Sequence, residues 1–151
     1  IRHLAEFGLT YDILVYPNQL AAAVLLSRAF PEQKFVLDHI AKPRISKGLD
    51  QEWVNNIKEL ASNPNVSCKV SGMVTETTNF QWQQEDFYPF LDVVLDAFGW
   101  QRLMYGSDWP VCLLGGNYKE VLTIVKDYIS KLTENQKAGI MGLNAKEFYS
   151  L

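Results

Sequence analysis

The sequence predicts an α/β protein built on a parallel sheet, because four short apolar or β-branched runs alternate with segments of helical periodicity. The predicted strands are residues 11–16, 34–39, 66–71 and 102–105. Successive strands start 23, 32 and 36 residues apart, and these spacings suit βα units with their loops. The runs do not alternate cleanly between apolar and polar residues, as expected for strands covered on both faces. The Asn-Gly and Asp-Gly pairs typical of tight hairpins are absent.

A helix is predicted after each strand, and local capping signals support several of these helices. Asp50 and Asn117 are placed to cap the second and fourth helices. Thr133, with a glutamine three residues later, has the capping-box pattern of a final helix that runs to about Ser150. The four helices that follow the strands are predicted over residues 20–30, 51–61, 87–98 and 118–132.

Two architectures fit four βα units. One is a small, complete doubly wound sheet, and the other is half of an eight-unit barrel, which normally needs roughly 250 residues. In either case we expect residues 1–151 to belong to one domain. Residues 1–8 have the pattern of the last turns of a helix that ends at a glycine cap, so we expect the chain to be a piece of a longer protein.

Composition argues against several classes of partner. The chain carries 14 Lys and Arg against 17 Asp and Glu, a formal net charge of −3, with no block of basic residues. We therefore predict that nucleic acid is not a partner. The longest apolar run, residues 20–26, is far shorter than the roughly 20 residues of a membrane span, so we predict no membrane association. Cys68 and Cys112, the only cysteines, cannot build a disulfide framework and predict a reducing, cytoplasmic compartment.

Ionisable residues gather where the predicted strands end, which is where parallel α/β proteins carry their sites. His39 ends the second strand, and an imidazole there can ligate a metal or act as a general acid or base. A loop histidine with satisfied hydrogen bonds is an equal alternative. Asp108 follows the fourth strand and can ligate a metal or take a proton from an attacking water. A turn or helix cap is the alternative for Asp108.

Three cations and two aromatic residues near the same strand ends are candidate substrate-binding residues. Lys69 lies within the third strand, where a buried amine needs a partner, and it can steady a carboxylate or orient a substrate oxygen. Lys42 and Arg44 follow the second strand and suit an anionic group, with a solvated loop as the alternative. Tyr16 and Trp109 can line a sugar-sized pocket or simply fill core.

Four motifs stand out in chain order: Asp38-His39-Ile40-Ala41-Lys42-Pro43, Lys69-Val70-Ser71-Gly72, Tyr105-Gly106-Ser107-Asp108-Trp109-Pro110-Val111 and Asn144-Ala145. Together they resemble the amidohydrolase-2 family, and within it the branch of metal-dependent TIM-barrel hydrolases that includes sugar lactonases. The resemblance covers essentially the whole chain. It implies the C-terminal half of a (β/α)8 barrel, with four parallel strands, outer helices and an extra C-terminal helix.

The same resemblance implies a small-molecule substrate, a lactone of a sugar acid, which the protein hydrolyses. Asp108 would activate water as a base or ligate a single divalent metal, zinc, and His39 would polarise the lactone carbonyl or join the metal. Because some relatives open lactones without a metal, a metal-free mechanism stays open. The family's His-x-His pair does not occur in this sequence, so we expect activity from the full-length protein and not from this chain alone. The substrate-binding residues would be Lys42, Arg44, Lys69, Tyr16 and Trp109.

Two interpretations other than a hydrolase also stay open. A phosphate- or nucleotide-binding α/β module would want a glycine-rich turn after the first strand, where the sequence has Pro17-Asn18-Gln19. A non-catalytic half-barrel fragment would work only with a partner. A half-barrel leaves two sheet edges and an apolar inner face uncovered. We therefore expect this chain to dimerise, to aggregate or to remain in a molten state when it is expressed alone, and we count a homo-oligomer among the expected states of the intact protein.

Overall fold

A computed structural model describes all residues from Ile1 to Leu151 and contains one sheet of four parallel strands. The strands pair in sequential order, β1-β2-β3-β4. A doubly wound sheet reverses its strand order at a switch point, whereas successive strands of a (β/α)8 barrel lie side by side. The prediction of a half-barrel is therefore confirmed. The strands are β1 Tyr11–Ile13, β2 Phe35–Leu37, β3 Val66–Val70 and β4 Leu103–Tyr105.

Helices follow each strand, and the three predicted caps are confirmed. The Asp50 carboxylate accepts the backbone N–H of Glu52 at 2.8 Å, and Asn117 caps its helix in the same way. The Thr133 hydroxyl accepts the backbone N–H of Gln136, three residues later, as expected for a capping box. No helix is both long and apolar enough to cross a membrane. The helices are α1 Leu20–Ala29, α2 Gln51–Ala61, α3 Tyr88–Phe98, α4 Tyr118–Tyr128, α5 Glu134–Ala138 and α6 Asn144–Phe148.

The prediction of one continuous final helix over residues 133–150 is wrong. A π-helical turn, Gly139–Leu143, divides this segment into α5 and α6. The break follows from Asn144, whose side-chain amide donates to the carbonyl oxygens of Trp100 at 2.7 Å and Leu103 at 2.8 Å. These bonds fasten the C-terminal segment to the start of β4, which a straight helix would not allow.

Element ends also differ from the prediction. The first strand stops at Ile13 because its pairing with β2 ends there, opposite Leu37, and the side chain of the next residue, Leu14, is largely exposed. The fourth helix stops at Tyr128 and passes into a 3-10 turn. The opening segment is a single 3-10 turn, Ala5–Phe7, where helical turns are predicted. Its predicted glycine cap is confirmed, because Gly8 has a left-handed φ of 67°.

The two faces of the sheet carry different residues. Alternate residues of β3, namely Val66, Cys68 and Val70, are buried in the hydrophobic core together with residues of the surrounding helices. On the other face, Lys69 pairs in register with Met104 of β4. This second face would line the interior of a closed barrel. The prediction that it is apolar is wrong, because Lys69 forms an ion pair there with Asp12 of β1.

Arg102, just before β4, joins three elements through backbone carbonyls. Its guanidinium donates to Ala61 and Val66 at 2.9 Å, to Phe98 at 3.1 Å and to Asn63 at 3.2 Å. A lysine cannot span these acceptors, because its ammonium is compact and lacks the planar fork. We expect Arg102→Lys to lower the free energy of unfolding by about 2 kcal/mol, as measured by urea denaturation of the full-length protein.

The matched control is Arg28, which forms an exposed ion pair with Glu59 on neighbouring helices. Arg28→Lys should change the free energy of unfolding by less than about 0.5 kcal/mol, because exposed pairs contribute little. Equal losses in the two variants would contradict a special role for the guanidinium that precedes β4.

Candidate active site

His39 and Asp108 face each other across a cavity of about 260 Å³ at the C-terminal ends of the strands. His39 follows β2 and Asp108 follows β4, with β3 between them. The distance from His39 Nε2 to Asp108 Oδ1 is 3.6 Å, and the two side chains are 19% and 12% exposed. This separation is longer than a hydrogen bond. Both atoms are therefore free to bind a ligand between or beside them.

The His39 imidazole is held by two residues that follow β3. Its Nδ1 lies 2.8 Å from the hydroxyl of Ser71, which is 2% exposed. Gly72 packs against the ring so closely that a Cβ there would lie 2.6 Å from His39 Cγ and Nδ1. Gly72 also has a φ of +63°, which glycine adopts without strain. Only a glycine allows the imidazole to occupy this position.

The backbone that carries His39 is strained. Four consecutive non-glycine residues have left-handed φ angles: 54° at His39, 46° at Ile40, 61° at Ala41 and 50° at Lys42. Left-handed φ is an outlier for a β-branched residue such as Ile40, and Ile40 is fully buried. The indole N–H of Trp53 donates to its carbonyl at 3.0 Å. Strain of this kind persists where the surrounding structure enforces it, often at functional sites.

Asp108 also occupies the left-handed region, with a φ of 56°. Its carbonyl accepts the backbone N–H of Cys112 at 2.8 Å, which fixes the loop beyond β4. Its carboxylate accepts no hydrogen bond from the protein, so it serves neither as a helix cap nor in a turn. The carboxylate oxygens are thus available to the cavity.

Lys69 lies on the wall of this cavity and its ammonium is already engaged. It forms ion pairs with Asp12 of β1 and, at 2.8 Å, with Asp38, the residue before His39. Burial lowers the pKa of Lys69, but the two carboxylates more than offset this and raise it above its usual range. The phenol of Tyr149, the residue after α6, lies 3.2 Å from both Asp12 carboxylate oxygens. The ammonium is therefore charged and held in place.

The other predicted substrate-binding residues lie elsewhere. Tyr16, Lys42 and Arg44 line a second cavity of about 490 Å³, which shares no lining residue with the first. Lys42 is ion-paired with Glu76 and lies over the Tyr16 ring, 5.8 Å from its centroid. Trp109 is 64% exposed and lines neither cavity. The predicted set is thus divided between two cavities and an exposed aromatic side chain.

The sequence alone predicts no role for Ser71 or Gly72, the residues that hold the imidazole. A signal for them exists, since a serine and a glycine directly follow β3, at the same sheet edge as His39. The sequence also predicts no role for Asp12, which lies on β1 and pairs with a lysine 57 positions away in the chain. No local pattern indicates that pair.

His39 and Asp108 fit part of a zinc site. Imidazole nitrogen and carboxylate oxygen are both zinc ligands, and Ser71 occupies Nδ1, as the outer-shell partners of metal-bound histidines do. Catalytic zinc has three protein ligands, however, and no group of three or more His, Cys, Asp or Glu side chains suited to a metal occurs in the chain. The two residues fit as an incomplete ligand set.

Comparisons with known proteins agree on one family. The family model described as amidohydrolase matches residues 1–151. L-fucono-1,5-lactonase of Burkholderia multivorans is 37% identical over 155 residues, an alignment that covers 93% of this chain and 51% of the relative. L-fucono-1,5-lactonase of Burkholderia ambifaria is 36% identical over 150 residues, covering 95% and 50%. This chain spans about half the length of the curated relatives it matches.

A solved structure gives the same result. The crystal structure of an amidohydrolase from Burkholderia multivorans with bound zinc superposes with a TM-score of 0.91 at 37% identity. The superposition covers 98% of this chain and 55% of that one.

Proposed function

Because this chain belongs to the amidohydrolase family, we propose that it contributes one half of the active site of an enzyme that hydrolyses a lactone of a sugar acid. The observation that carries this proposal is the approach of His39 Nε2 to Asp108 Oδ1, 3.6 Å apart in a cavity at the C-terminal strand ends. The names of the relatives supply the substrate class, since both are L-fucono-1,5-lactonases.

The proposed chemistry needs one base and one hydrogen-bond donor. Asp108 accepts a proton from a water molecule as the water oxygen attacks the lactone carbonyl carbon. His39 donates a hydrogen bond from Nε2–H to the carbonyl oxygen, which becomes negative as the tetrahedral intermediate forms. The bond between the carbonyl carbon and the ring oxygen then breaks. The ring oxygen takes the proton back from Asp108 and leaves as a hydroxyl.

We also propose that His39 and Asp108 are two ligands of a zinc ion in the full-length protein. Support comes from their donor types and from the relative solved with bound zinc. When bound, zinc would lower the pKa of a water molecule and polarise a carbonyl. The metal-free route described above is the alternative, and removal of the metal distinguishes the two.

Further residues have proposed roles in substrate binding. Lys42, Arg44 and Tyr16 surround the larger cavity, where cations and an exposed aromatic ring suit a polyhydroxylated acid. The charged Lys69 is proposed to stabilise a ligand oxygen in the cavity of His39 and Asp108. The exposed ring of Trp109, next in the chain to Asp108, is proposed to contact the part of a ligand that extends out of that cavity. We propose a reducing, cytoplasmic location, supported by the two buried free thiols of Cys68 and Cys112.

The test is an assay of the full-length protein on 1,5- and 1,4-lactones of several sugar acids, with release of acid followed by a pH indicator. We expect turnover of at least one sugar lactone and little of δ-valerolactone, which has the ring but no hydroxyl groups. Chelator treatment followed by addition of zinc should remove and restore turnover if the metal is required. Failure to hydrolyse any lactone above the protein-free background would contradict the proposed function.

A further inference from the structure

The end of β3 lies between the strands that carry His39 and Asp108, and it supports the histidine from two directions. Ser71 contacts Nδ1 at 2.8 Å. Gly72 contacts the ring. We propose that Ser71 is a positioning residue that orients the His39 imidazole so that Nε2 faces Asp108. Its expected effect on turnover rests on the proposed function, whereas its effect on the imidazole does not.

Ser71 has no other polar role in the structure. Its hydroxyl makes a single hydrogen bond to the protein, the one with His39, although the residue is 2% exposed. A buried hydroxyl costs free energy unless it is hydrogen-bonded, and an alanine would fill nearly the same space at no such cost. Orientation of the imidazole is the function that this hydroxyl can serve.

The contact fixes which nitrogen faces the cavity. An imidazole that is free to make a half turn about the Cβ–Cγ bond exchanges the position of Nδ1 with that of Cδ2, and the position of Nε2 with that of Cε1. The hydrogen bond to Ser71 prevents this rotation. Gly72 lets the ring pack directly against the backbone that follows β3. Nε2, at the far end of the ring, then points at the Asp108 carboxylate, 3.6 Å away.

The same geometry selects a tautomer for the neutral ring. A proton on Nε2 faces the negative carboxylate, whereas a lone pair there would be repelled by it. Nδ1 is then the acceptor, and Ser71 donates its O–H. Because a hydroxyl can also accept a bond, the contact persists when Nε2 gives its lone pair to a metal and Nδ1 carries the proton. Ser71 therefore holds the ring in either state.

The experiment compares ¹⁵N-histidine NMR spectra and kinetics of the full-length protein with those of Ser71→Ala and Ser71→Thr. His39→Gln identifies the His39 signals. The metal-free parent should show the two distinct His39 nitrogens of a single tautomer. Ser71→Ala should move both toward averaged values and lower kcat about tenfold, with less than a twofold change in KM. Ser71→Thr keeps the hydroxyl and should restore both the nitrogen pattern and most of kcat.

The matched control is Ser67→Ala, on β3, the strand that Ser71 follows, because the Ser67 side chain forms no hydrogen bond with the protein. It should leave the His39 nitrogens and kcat unchanged. Unaltered His39 nitrogens in Ser71→Ala, or equal losses of kcat in the alanine and threonine variants, would overturn the positioning role. A parent that opens no lactone but shows the expected nitrogen changes would overturn the proposed function while supporting the role of Ser71.

Discussion

Asp108→Asn is expected to lower kcat for lactone hydrolysis by at least about 100-fold in the full-length protein, because an amide cannot take a proton from the attacking water. The same change weakens a carboxylate metal ligand, so the direction holds with or without zinc. Folding should persist, since the Asp108 carboxylate accepts no hydrogen bond from the protein and lines a cavity. We expect the free energy of unfolding to change by less than about 1 kcal/mol.

The control for the charge change is Glu32→Gln, which removes a carboxylate that is exposed in the loop before β2. It should keep full turnover. Steady-state kinetics and urea denaturation of both variants separate a catalytic defect from a folding defect. Turnover near that of the parent in Asp108→Asn would exclude this carboxylate from the reaction.

The sequence was sufficient to predict the meeting of His39 and Asp108. Parallel strands end at one edge of a sheet, so residues that follow β2 and β4 must lie on the same side of the molecule. Local signals were also sufficient for helices such as α2, where Asp50 caps the first turn. Strand length was harder to predict, because the apolar run that begins at Tyr11 continues beyond the pairing with β2.

The separation of Lys42 and Arg44 from the cavity of His39 and Asp108 could not be predicted, for a physical reason. Both residues are close to His39 in the sequence, which suggests a shared site. The left-handed turn over residues 39–42, however, directs Lys42 toward Glu76 and the second cavity. Ile40 and Ala41 disfavour such a turn intrinsically. The turn exists because tertiary contacts impose it, among them the hydrogen bond from the Trp53 indole N–H to the Ile40 carbonyl.

The ion pairs of Lys69 with Asp12 and Asp38 could not be predicted from the sequence either. Lys69 alone indicates only that some partner is needed. Its partners are Asp12 on β1 and Asp38 directly after β2, and both contact the ammonium only when β1, β2 and β3 are in register. Because Asp38 precedes His39, this network also anchors the backbone at the start of the strained turn.

Gly72→Ala should cause the second large loss of turnover, about 100-fold in kcat, by displacing the imidazole. The new methyl group would lie 2.6 Å from His39 Cγ and Nδ1, and Gly72 has a φ of +63°. The ring must move, which breaks its contact with Ser71 and turns Nε2 away from Asp108. A shift of about 1 Å in a catalytic group can cost this much.

Gly8→Ala separates the backbone effect from the contact with His39. Gly8 has nearly the same φ, +67°, and nothing lies within 4 Å of an added Cβ. Both variants should lose about 1 kcal/mol of stability from the left-handed backbone, and Gly72→Ala should lose more because of the clash. Only Gly72→Ala should alter the His39 ¹⁵N signals and kcat. A normal kcat in Gly72→Ala would mean that the imidazole can move without loss of activity. The close packing of Gly72 on His39 would then not be required for catalysis.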